Sequence, residues 1–271
     1  MPTPAQKRLL AAGGLALAAA GCWLYDTNTR IRPEHLPVYL PDLPPAFENC
    51  RIALLTDLHI PDCTVSPRKL AETVRMLKPD FIFLSGDLIT SYKPFNGELL
   101  FTYMKHLAAI APCYAIPGNH ERRMGILDAW RLLLHKAGIT VLLDEWVLIE
   151  RDNGELPLCG LLRGIPLAGE HPAPGPVLAL SHYPARLDAY ESAGLNLVLA
   201  GHAHGGQWRF FGQGVFAPGE GLLPRYTSGL YRKGGTQLAV SRGLGNSAFP
   251  LRINNPPHIP LLILHNENQA V

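Results

Sequence analysis

The sequence predicts an α/β fold with two packed sheets, preceded by an apolar amino-terminal segment. In the first half of the chain, apolar runs typical of strands alternate with runs of helical periodicity, which indicates βαβ units. The second half consists of short strand-like runs separated by turns, and glycine and proline cluster after position 160. These patterns predict a βαβ sheet from the first half and a second sheet packed against it from the second half.

The predicted elements follow in chain order. Strands are expected at residues 51–56, 81–85 and 114–116, and helices at residues 67–77, 99–109 and 126–136. Short strands are expected at 140–143, 147–150, 176–180 and 195–200, before a β-rich region from Gln207 to a last strand at 260–264. Because open α/β sheets bind ligands beyond the carboxyl ends of their strands, the residues that follow each strand are the first candidates for a site.

The amino-terminal segment has the charge pattern of a membrane-targeting sequence. Lys7 and Arg8 precede an uncharged run at residues 9–25, and Asp26 closes it. Three interpretations fit this pattern: an uncleaved membrane anchor, a lipoprotein signal in which Cys22 is lipidated, and an ordinary cleaved signal peptide. The first two leave the protein on a membrane.

The predicted organisation has three parts: a signal or anchor segment at 1–26, a proline-rich tether at 27–49, and one domain at 50–271. The tether is expected to be extended, with room for one edge strand. Positive charge before the apolar run favours a domain outside the cytoplasm. Arg30 and Arg32, on the other side of the run, favour the opposite orientation, so a domain on the cytoplasmic face stays an alternative.

The composition argues against two classes of function. The net charge is +2, and lysine and arginine are spread along the chain without the basic stripe of a nucleic-acid-binding protein, so no nucleic-acid partner is expected. The five cysteines form no Cys-x-x-Cys pair, which argues against a structural zinc site of that type.

Five predicted strand ends carry aspartate, asparagine or histidine. These residues are Asp57 and His59, Asp87, Asn119 and His120, His182, and His202 and His204. A lone strand-end histidine is usually a hydrogen-bonded structural residue, but Gly-Asn-His-Glu at 118–121 and Gly-His-Ala-His-Gly-Gly at 201–206 are more specific. Carboxylate, amide and imidazole groups without cysteine suit divalent Mn, Fe, Co or Zn, and the set is large enough for two ions.

In this order the residues resemble the calcineurin-like metallophosphoesterase superfamily, whose pattern reads DxH, GD, GNH, H, GHxH. The resemblance covers residues 51–264. The later motifs at 226–231, 241–245 and 250–252 resemble a bacterial, membrane-associated branch of phosphodiesterases, which also includes a UDP-2,3-diacylglucosamine pyrophosphatase. The resemblance implies a four-layer α-β-β-α sandwich of two mixed sheets flanked by helices, at the bacterial inner membrane with a periplasmic domain.

The resemblance also implies the site residues and the cofactors, two divalent metal ions. The first ion is assigned to Asp57, His59 and His204, the second to Asn119, His182 and His202, and Asp87 is assigned to both. His120 is implied as the general acid that faces the leaving group, and Arg252 as a contact to the substrate. The sequence departs from the family pattern at Thr90, Glu121 and His258, and these departures bear on the residues around the ligands and on the substrate rather than on metal binding.

The expected function is the metal-dependent hydrolysis of a phosphodiester, phosphomonoester or pyrophosphate in a small molecule or a lipid. A narrower alternative is the UDP-2,3-diacylglucosamine pyrophosphatase of lipid A synthesis, whose nucleotide substrate is cytoplasmic. An alternative of another class is a metal-stabilised binding protein without catalysis. Such proteins typically lose one or more ligands, whereas every expected ligand position is filled in this sequence.

Overall fold

The computed structural model describes residues 3–169, 171–217, 219–246 and 249–269. The helices are α1 (Pro4–Thr29), α2 (Pro67–Leu77), α3 (Gly97–Ala108), α4 (Asn119–Met124), α5 (Leu127–Ala137) and α6 (Leu187–Ser192). The first nine strands are β1 (Arg32–Leu40), β2 (Arg51–Leu55), β3 (Phe81–Ser85), β4 (Cys113–Ile116), β5 (Ile139–Val141), β6 (Glu145–Arg151), β7 (Gly154–Leu161), β8 (Leu178–Ser181) and β9 (Leu197–Ala200). The others are β10 (Arg209–Phe210), β11 (Gln213–Gly214), β12 (Phe216–Ala217), β13 (Gly221–Leu222), β14 (Gly229–Lys233), β15 (Thr236–Val240) and β16 (His258–Asn266).

Two six-stranded mixed sheets form the centre of the fold. The first has the order β1-β16-β2-β3-β4-β5, in which β16 runs antiparallel to β2 and the other neighbours are parallel. The second has the order β14-β15-β9-β8-β7-β6, with parallel pairs at its centre and an antiparallel pair at each edge. Two short hairpins, β10–β11 and β12–β13, lie outside these sheets.

The packing gives four layers. Leu54 and Phe83 belong to the core between the two sheets, whereas their neighbours Leu55 and Leu84 belong to the core under the helices, because successive strand residues point to opposite faces. Helices α2, α3 and α5 cover the first sheet, and α6 covers the second. The predicted α-β-β-α sandwich of two mixed sheets is therefore confirmed.

The amino-terminal helix differs from every other helix in its surroundings. Helix α1 has 26 residues, of which only Thr27 is buried, and an 18-residue stretch of it has a mean hydropathy of 1.4. At 1.5 Å per residue its length is about 39 Å, so it is long enough and apolar enough to cross a membrane. By length and composition, this helix matches the predicted anchor or signal segment.

The segment predicted as a tether takes part in the first sheet. Strand β1 pairs with β16 in parallel register along its whole length, from Arg32 opposite His258 to Leu40 opposite Asn266. An edge strand accommodates Pro33 and Pro37 because only one of its sides needs hydrogen bonds. The segment at 27–49 is thus attached to the domain through nine residue pairs, and the limits proposed at residues 26 and 49 stay predictions.

Strand β7 is absent from the sequence-based prediction. Its segment contains Gly154, Pro157 and Gly160, which are signals of turns rather than strands. Pairing with β8 begins only at Leu158, so Pro157 faces a single neighbouring strand and its missing N–H leaves no ladder bond unmade. Tertiary packing between β6 and β8 therefore overrides the local turn signals.

Candidate metal centre

The polar residues predicted at five strand ends come together at one edge of the two sheets. They follow β2, β3 and β4 in the first sheet and β8 and β9 in the second. Three sets of potential ligand atoms each lie within 4.8 Å of one another: Asp57 with His59 and His204, Asp87 with His182 and His202, and His59 with Asp87 and His120. The site is thus built where the carboxyl ends of strands from both sheets converge.

The first set is centred on two histidines that face each other. The Nε2 atoms of His59 and His204 are 3.0 Å apart, and Oδ1 of Asp57 lies 3.5 Å from Nε2 of His204. All three side chains are buried. Two imidazole nitrogens and a carboxylate oxygen that converge in this way form a donor set suited to a divalent cation.

The second set is joined to the first through the two aspartates. Oδ2 of Asp87 lies 3.0 Å from Nε2 of His182, which lies 3.2 Å from Nδ1 of His202 and 4.0 Å from Oδ1 of Asp57. Asn119 stands beside this set at the start of α4, and its buried Oδ1 has no hydrogen-bond partner within the described ranges. An orphaned amide oxygen at this place is consistent with a ligand position, so the residues present fit a metal centre.

Burial keeps most of the imidazoles in the neutral form that ligates metals. Burial lowers the pKa of His59 and of His202 to about 3 and lowers the pKa of His204 well below its usual value. Metal ligation requires an unprotonated nitrogen, and these three rings offer one at neutral pH without losing a proton.

One ion pair carries the charge of the second set. Burial alone would lower the pKa of His182, but the charge and hydrogen bond of Asp87 raise it to about 9. Burial likewise opposes ionisation of Asp87, yet the charge of His182 holds the pKa of that carboxyl below its usual value. By contrast, burial raises the pKa of Asp57 to about 7. A cation bound here would displace the proton of His182 and stabilise both carboxylates.

Most of the predicted ligands lie in left-handed backbone conformations. The φ angles are 53° at Asp57, 50° at His59, 49° at Asp87, 69° at His202 and 47° at His204. Each such non-glycine residue costs on the order of 1–3 kcal/mol, and residues of this kind cluster at functional sites. Strain concentrated at five ligand positions indicates that the fold holds these side chains in place for binding.

Two glycines of the motifs are required by close approach. A Cβ at Gly118 would lie 2.2 Å from Oδ1 of Asp87, and a Cβ at Gly201 would lie 2.1 Å from Oγ1 of Thr56 and 2.5 Å from Oδ2 of Asp57. Any side chain at these positions would displace an aspartate of the site. Glycine is therefore required at these two positions because a side chain would clash there, and not only because glycine favours turns.

Glu121 belongs to the surroundings of this site, and the sequence did not predict which groups it contacts. Its buried carboxylate accepts hydrogen bonds from the N–H groups of Gly118 (2.8 Å), Asp87 (3.1 Å) and Ile89 (3.1 Å). It thereby fixes the loop after β3 to the loop after β4. Glu121 is the last residue of the Gly-Asn-His-Glu motif, and the signal that could have identified it is an acidic residue in the first turn of a short helix.

Comparison with known proteins decides the family. Residues 50–206 match the model of the family described as calcineurin-like phosphoesterase. The chain belongs to the calcineurin-like phosphoesterases. The resemblance seen in the sequence is confirmed, and the chain is a hydrolase of phosphate esters.

Relatives of this phosphoesterase are named as a phosphodiesterase or as metallophosphoesterases. The chain is 35% identical over 196 residues to "Phosphodiesterase YaeI" of Escherichia coli (strain K12), an alignment that covers 69% of this chain and 71% of that protein. It is 28% identical to "Uncharacterized metallophosphoesterase YkuE" of Bacillus subtilis (strain 168), covering 83% and 82%. It is also 28% identical to "Transmembrane protein with metallophosphoesterase domain" of Danio rerio, covering 88% of this chain and 58% of that protein.

His120 of this phosphoesterase lies beside the metal ligands with a defined tautomer. Its Nδ1 accepts a hydrogen bond from the backbone N–H of Ser91 (2.8 Å), so the neutral ring carries its proton on Nε2. That Nε2 lies 3.9 Å from Oδ2 of Asp87, and burial lowers the pKa of the ring. The ring also packs edge-on against His59 and Tyr92. His120 therefore presents an N–H donor to the centre.

Arg252, predicted as a substrate contact, is fully buried. Its guanidinium donates hydrogen bonds to the carbonyls of Arg242 (3.0 Å), Asn255 (3.2 Å) and Gly245. Gly245 in turn donates its N–H to the carbonyl of Asp57 (2.7 Å). These contacts favour a structural role, in which Arg252 holds the loop that supports Asp57, and its contact to a substrate stays a prediction.

Two openings flank the centre of the phosphoesterase. A cavity of about 460 Å³ beside Asn119 is lined by Arg122, Arg123 and Arg163. A larger cleft of about 710 Å³ is lined by Asp62, Thr64, Thr90, Tyr92, Lys93, Asn246 and Pro250. The first opening is basic, whereas in the second the charges of Lys93 and Asp62 form an ion pair. An anionic ligand is therefore favoured on the Asn119 side.

Proposed function

We propose that this phosphoesterase hydrolyses a phosphodiester with two divalent cations. The proposed ligands are Asp57, His59 and His204 for the first ion and Asn119, His182 and His202 for the second, with Asp87 shared. The observation that carries the proposal is the position of Asp87, whose carboxylate is within reach of His59 in one set and of His182 in the other. Mixed oxygen and nitrogen donors favour Mn, Fe, Co or Zn.

Each part of the site has a task in this proposal. Divalent ions held by these side chains supply Lewis acidity, which draws charge from a phosphoryl group and makes water more acidic. Glu121 keeps the loops of Asp87 and Asn119 in register through its hydrogen bonds to backbone N–H groups. His120 directs its Nε2–H to the leaving-group oxygen, because Ser91 occupies its Nδ1. The arginines beside Asn119 bind the anionic portion of the substrate.

The basic cavity favours a second candidate, the hydrolysis of a pyrophosphate such as that of a UDP-linked sugar lipid. Three arginines line this cavity next to Asn119, which is more positive charge than a single phosphodiester requires. Substrates of this class that carry a nucleotide are found in the cytoplasm. A domain found outside the cytoplasm would contradict this candidate but not the first.

We also propose that α1 anchors the phosphoesterase in a membrane. Its apolar surface is not covered by the rest of the described protein, and relatives from vertebrates are named as transmembrane proteins. Lys7 and Arg8 lie near the start of this helix and precede its uncharged run, which favours a domain on the extracytoplasmic side. Protease added to sealed spheroplasts tests the orientation, since an extracytoplasmic domain is digested and a cytoplasmic one is protected.

The proposed activity is tested on the full-length chain in detergent, stripped of metal and reloaded with Mn²⁺. Bis(p-nitrophenyl) phosphate and p-nitrophenyl phosphate serve as matched diester and monoester. Metal-dependent hydrolysis of the diester is expected, with near-complete loss in Asp87→Asn. Hydrolysis of the monoester alone would keep the family and overturn the proposed phosphodiesterase, and a rate independent of metal would overturn the proposed metal chemistry.

A further inference from the structure

An exposed apolar surface lies outside the catalytic centre. It is formed by the two short hairpins and the segment after residue 248, and we call it the apolar rim: Trp208, Phe210, Phe211, Leu222, Leu223, Phe249 and Leu251. The side chain of Phe211 is fully exposed, and Leu222 and Leu223 are 77% and 67% exposed. Large aromatic and aliphatic side chains grouped in this way on a surface typically mark a binding surface.

The rim is continuous. The ring of Phe249 lies 5.3 Å from that of Trp208 and 6.1 Å from that of Phe216, which pairs with Leu222 across the β12–β13 hairpin. The indole N–H of Trp208 donates to the carbonyl of Leu251 (3.2 Å). The β10–β11 hairpin, which carries Phe210 and Phe211, begins at the next residue.

The rim adjoins the domain end of α1. Asn28, in the last turn of this helix, donates from Nδ2 to the carbonyl of Arg252 (3.0 Å) and accepts the N–H of Arg252 at Oδ1 (2.8 Å). Thr64 donates to the carbonyl of Asn28 (2.6 Å), and Nζ of Lys69 donates to the carbonyl of Thr29 (2.9 Å). Because Arg252 follows Leu251 directly, these four hydrogen bonds fix the helix end beside the rim.

We infer that the apolar rim is a second membrane-contact surface, which enters the interface of the bilayer that α1 occupies. The inference rests on the proposed insertion of α1. A bilayer is the occupant that the structure favours, because the segment that carries Phe249 and Leu251 is hydrogen-bonded to a helix whose own apolar surface has no protein cover. Aromatic and leucine side chains next to tryptophan are those that partition into the lipid interface.

This contact has a consequence for the orientation of the catalytic domain. The larger cleft shares Pro250 with the segment of the rim and Thr64 with the contact to α1. The cleft is also lined by Tyr92, whose ring packs against His120. Contact of the rim with lipid therefore holds the cleft that leads to His120 beside the bilayer surface.

The test uses tryptophan reporters in the full-length chain, reconstituted into phosphatidylcholine–phosphatidylglycerol vesicles with or without bromine atoms on the acyl chains. Phe211→Trp places a reporter in the rim. Leu132→Trp is the matched control, because Leu132 is also exposed (55%) but lies on α5, near the opposite edge of the first sheet. Unchanged hydrolysis of a water-soluble diester shows that both variants are folded.

The emission added by Phe211→Trp is expected to lose about half or more of its intensity in brominated vesicles, while that of Leu132→Trp is retained. Equal quenching of the two reporters, or no quenching at Phe211→Trp, would overturn the inference. Protection of the Phe211→Trp reporter from acrylamide without quenching by bromine would also overturn it, in favour of a second copy of the chain. Comparing the unmodified chain with Trp23→Phe in the same vesicles isolates the emission of Trp23 on α1. Quenching of Trp23 without quenching at Phe211→Trp would mean that α1 inserts and the rim does not, whereas no quenching of Trp23 would mean that the proposed anchor fails.

Discussion

The backbone N–H of Ser91 donates to Nδ1 of His120 over 2.8 Å, with the Ser91 hydroxyl 3.1 Å from the same nitrogen, and this contact leaves Nε2 to face the metal ligands. Thr90, one of the positions at which the sequence departs from the expected pattern, directly precedes this backbone donor. The protonated nitrogen Nε2 then lies on the side of Asp87, 3.9 Å from its Oδ2. This arrangement makes the leaving-group interaction depend on the loop at residue 91.

Replacing Ser91 by proline removes this N–H, whereas Ser91→Ala keeps it and removes only the hydroxyl group. We expect Ser91→Pro to lower kcat by about 10²-fold for a diester with an alkoxide leaving group and much less for a p-nitrophenyl ester. Ser91→Ala should resemble the unmodified protein. Steady-state kinetics measure the kcat of each variant on both esters. Equal losses of kcat in Ser91→Pro for the two leaving groups would contradict the role of His120.

Glu121 links two loops through three backbone hydrogen bonds, so its charge and length should both matter. Glu121→Gln replaces an acceptor oxygen by an amino group that faces N–H donors. We expect a loss of about 1–3 kcal/mol in the free energy of unfolding and about 10–100-fold weaker metal binding. Glu121→Asp keeps the carboxylate but shortens the side chain, so it measures the effect of length separately from that of charge. Chemical denaturation and metal titration measure both quantities, and a Gln variant with the stability and affinity of the unmodified chain would refute this role.

The buried histidines predict how the metal-free protein responds to acid. Burial lowers the pKa of His59 and of His202 to about 3, below the value near 6.5 of the unfolded chain. Between these two pH values each of these rings binds its proton more readily in the unfolded state, so each ring lowers stability as the pH drops below about 6.5. The carboxyls of Asp57 and Glu121, whose pKa burial raises to about 7, act in the opposite direction, so the contribution of a ring is read from a variant that lacks it. Each ring contributes a slope of roughly 1.4 kcal/mol per pH unit.

Urea denaturation of the stripped protein between pH 7 and pH 5 measures this slope. The variant His59→Asn should reduce it, and His106→Gln, at an exposed position on α3, should leave it unchanged. A slope that is the same in His59→Asn as in the unmodified chain would show that this ring is not held neutral in the folded state.

The basic cavity beside Asn119 predicts a preference for substrates with more than one phosphate. Arg163→Gln removes one charge from this cavity without touching a proposed metal ligand. We expect the KM for a nucleoside diphosphate sugar to rise about 10-fold, since hydrogen bonds to charged groups contribute about 1.5–3 kcal/mol, with little change for bis(p-nitrophenyl) phosphate. Arg131→Gln, which removes an exposed ion pair with Glu145, is the control. An equal change for both substrates would argue against a phosphate subsite.

The clustering of the proposed ligands could be predicted from the sequence because each of them follows an apolar strand, and all except His182 stand next to a glycine or in a closely spaced pair. Asp57 and His204, 147 positions apart, meet because β2 and β9 end at the same edge of two packed sheets. The roles of Ser91 and Glu121 could not be predicted, since their partners are a ring nitrogen and backbone N–H groups whose positions depend on the folded loops. Strand β7 could not be predicted either, because Pro157 and the glycines of this segment indicate a turn. The rim could not be predicted because its residues are brought together by the segment at 249–253.

The most direct test of the account is the metal stoichiometry and magnetic coupling of the Mn²⁺-loaded protein. The full-length chain, stripped and titrated with Mn²⁺, is compared with Asp87→Asn by equilibrium binding and electron paramagnetic resonance. We expect two tightly bound ions per chain with a spin-coupled spectrum, and loss of the coupling in the variant, because Asp87 is the proposed shared ligand and its carboxylate lies within 4.8 Å of ligand atoms of both His59 and His182. One ion per chain, or two ions without coupling in the unmodified protein, would contradict the proposed dinuclear centre.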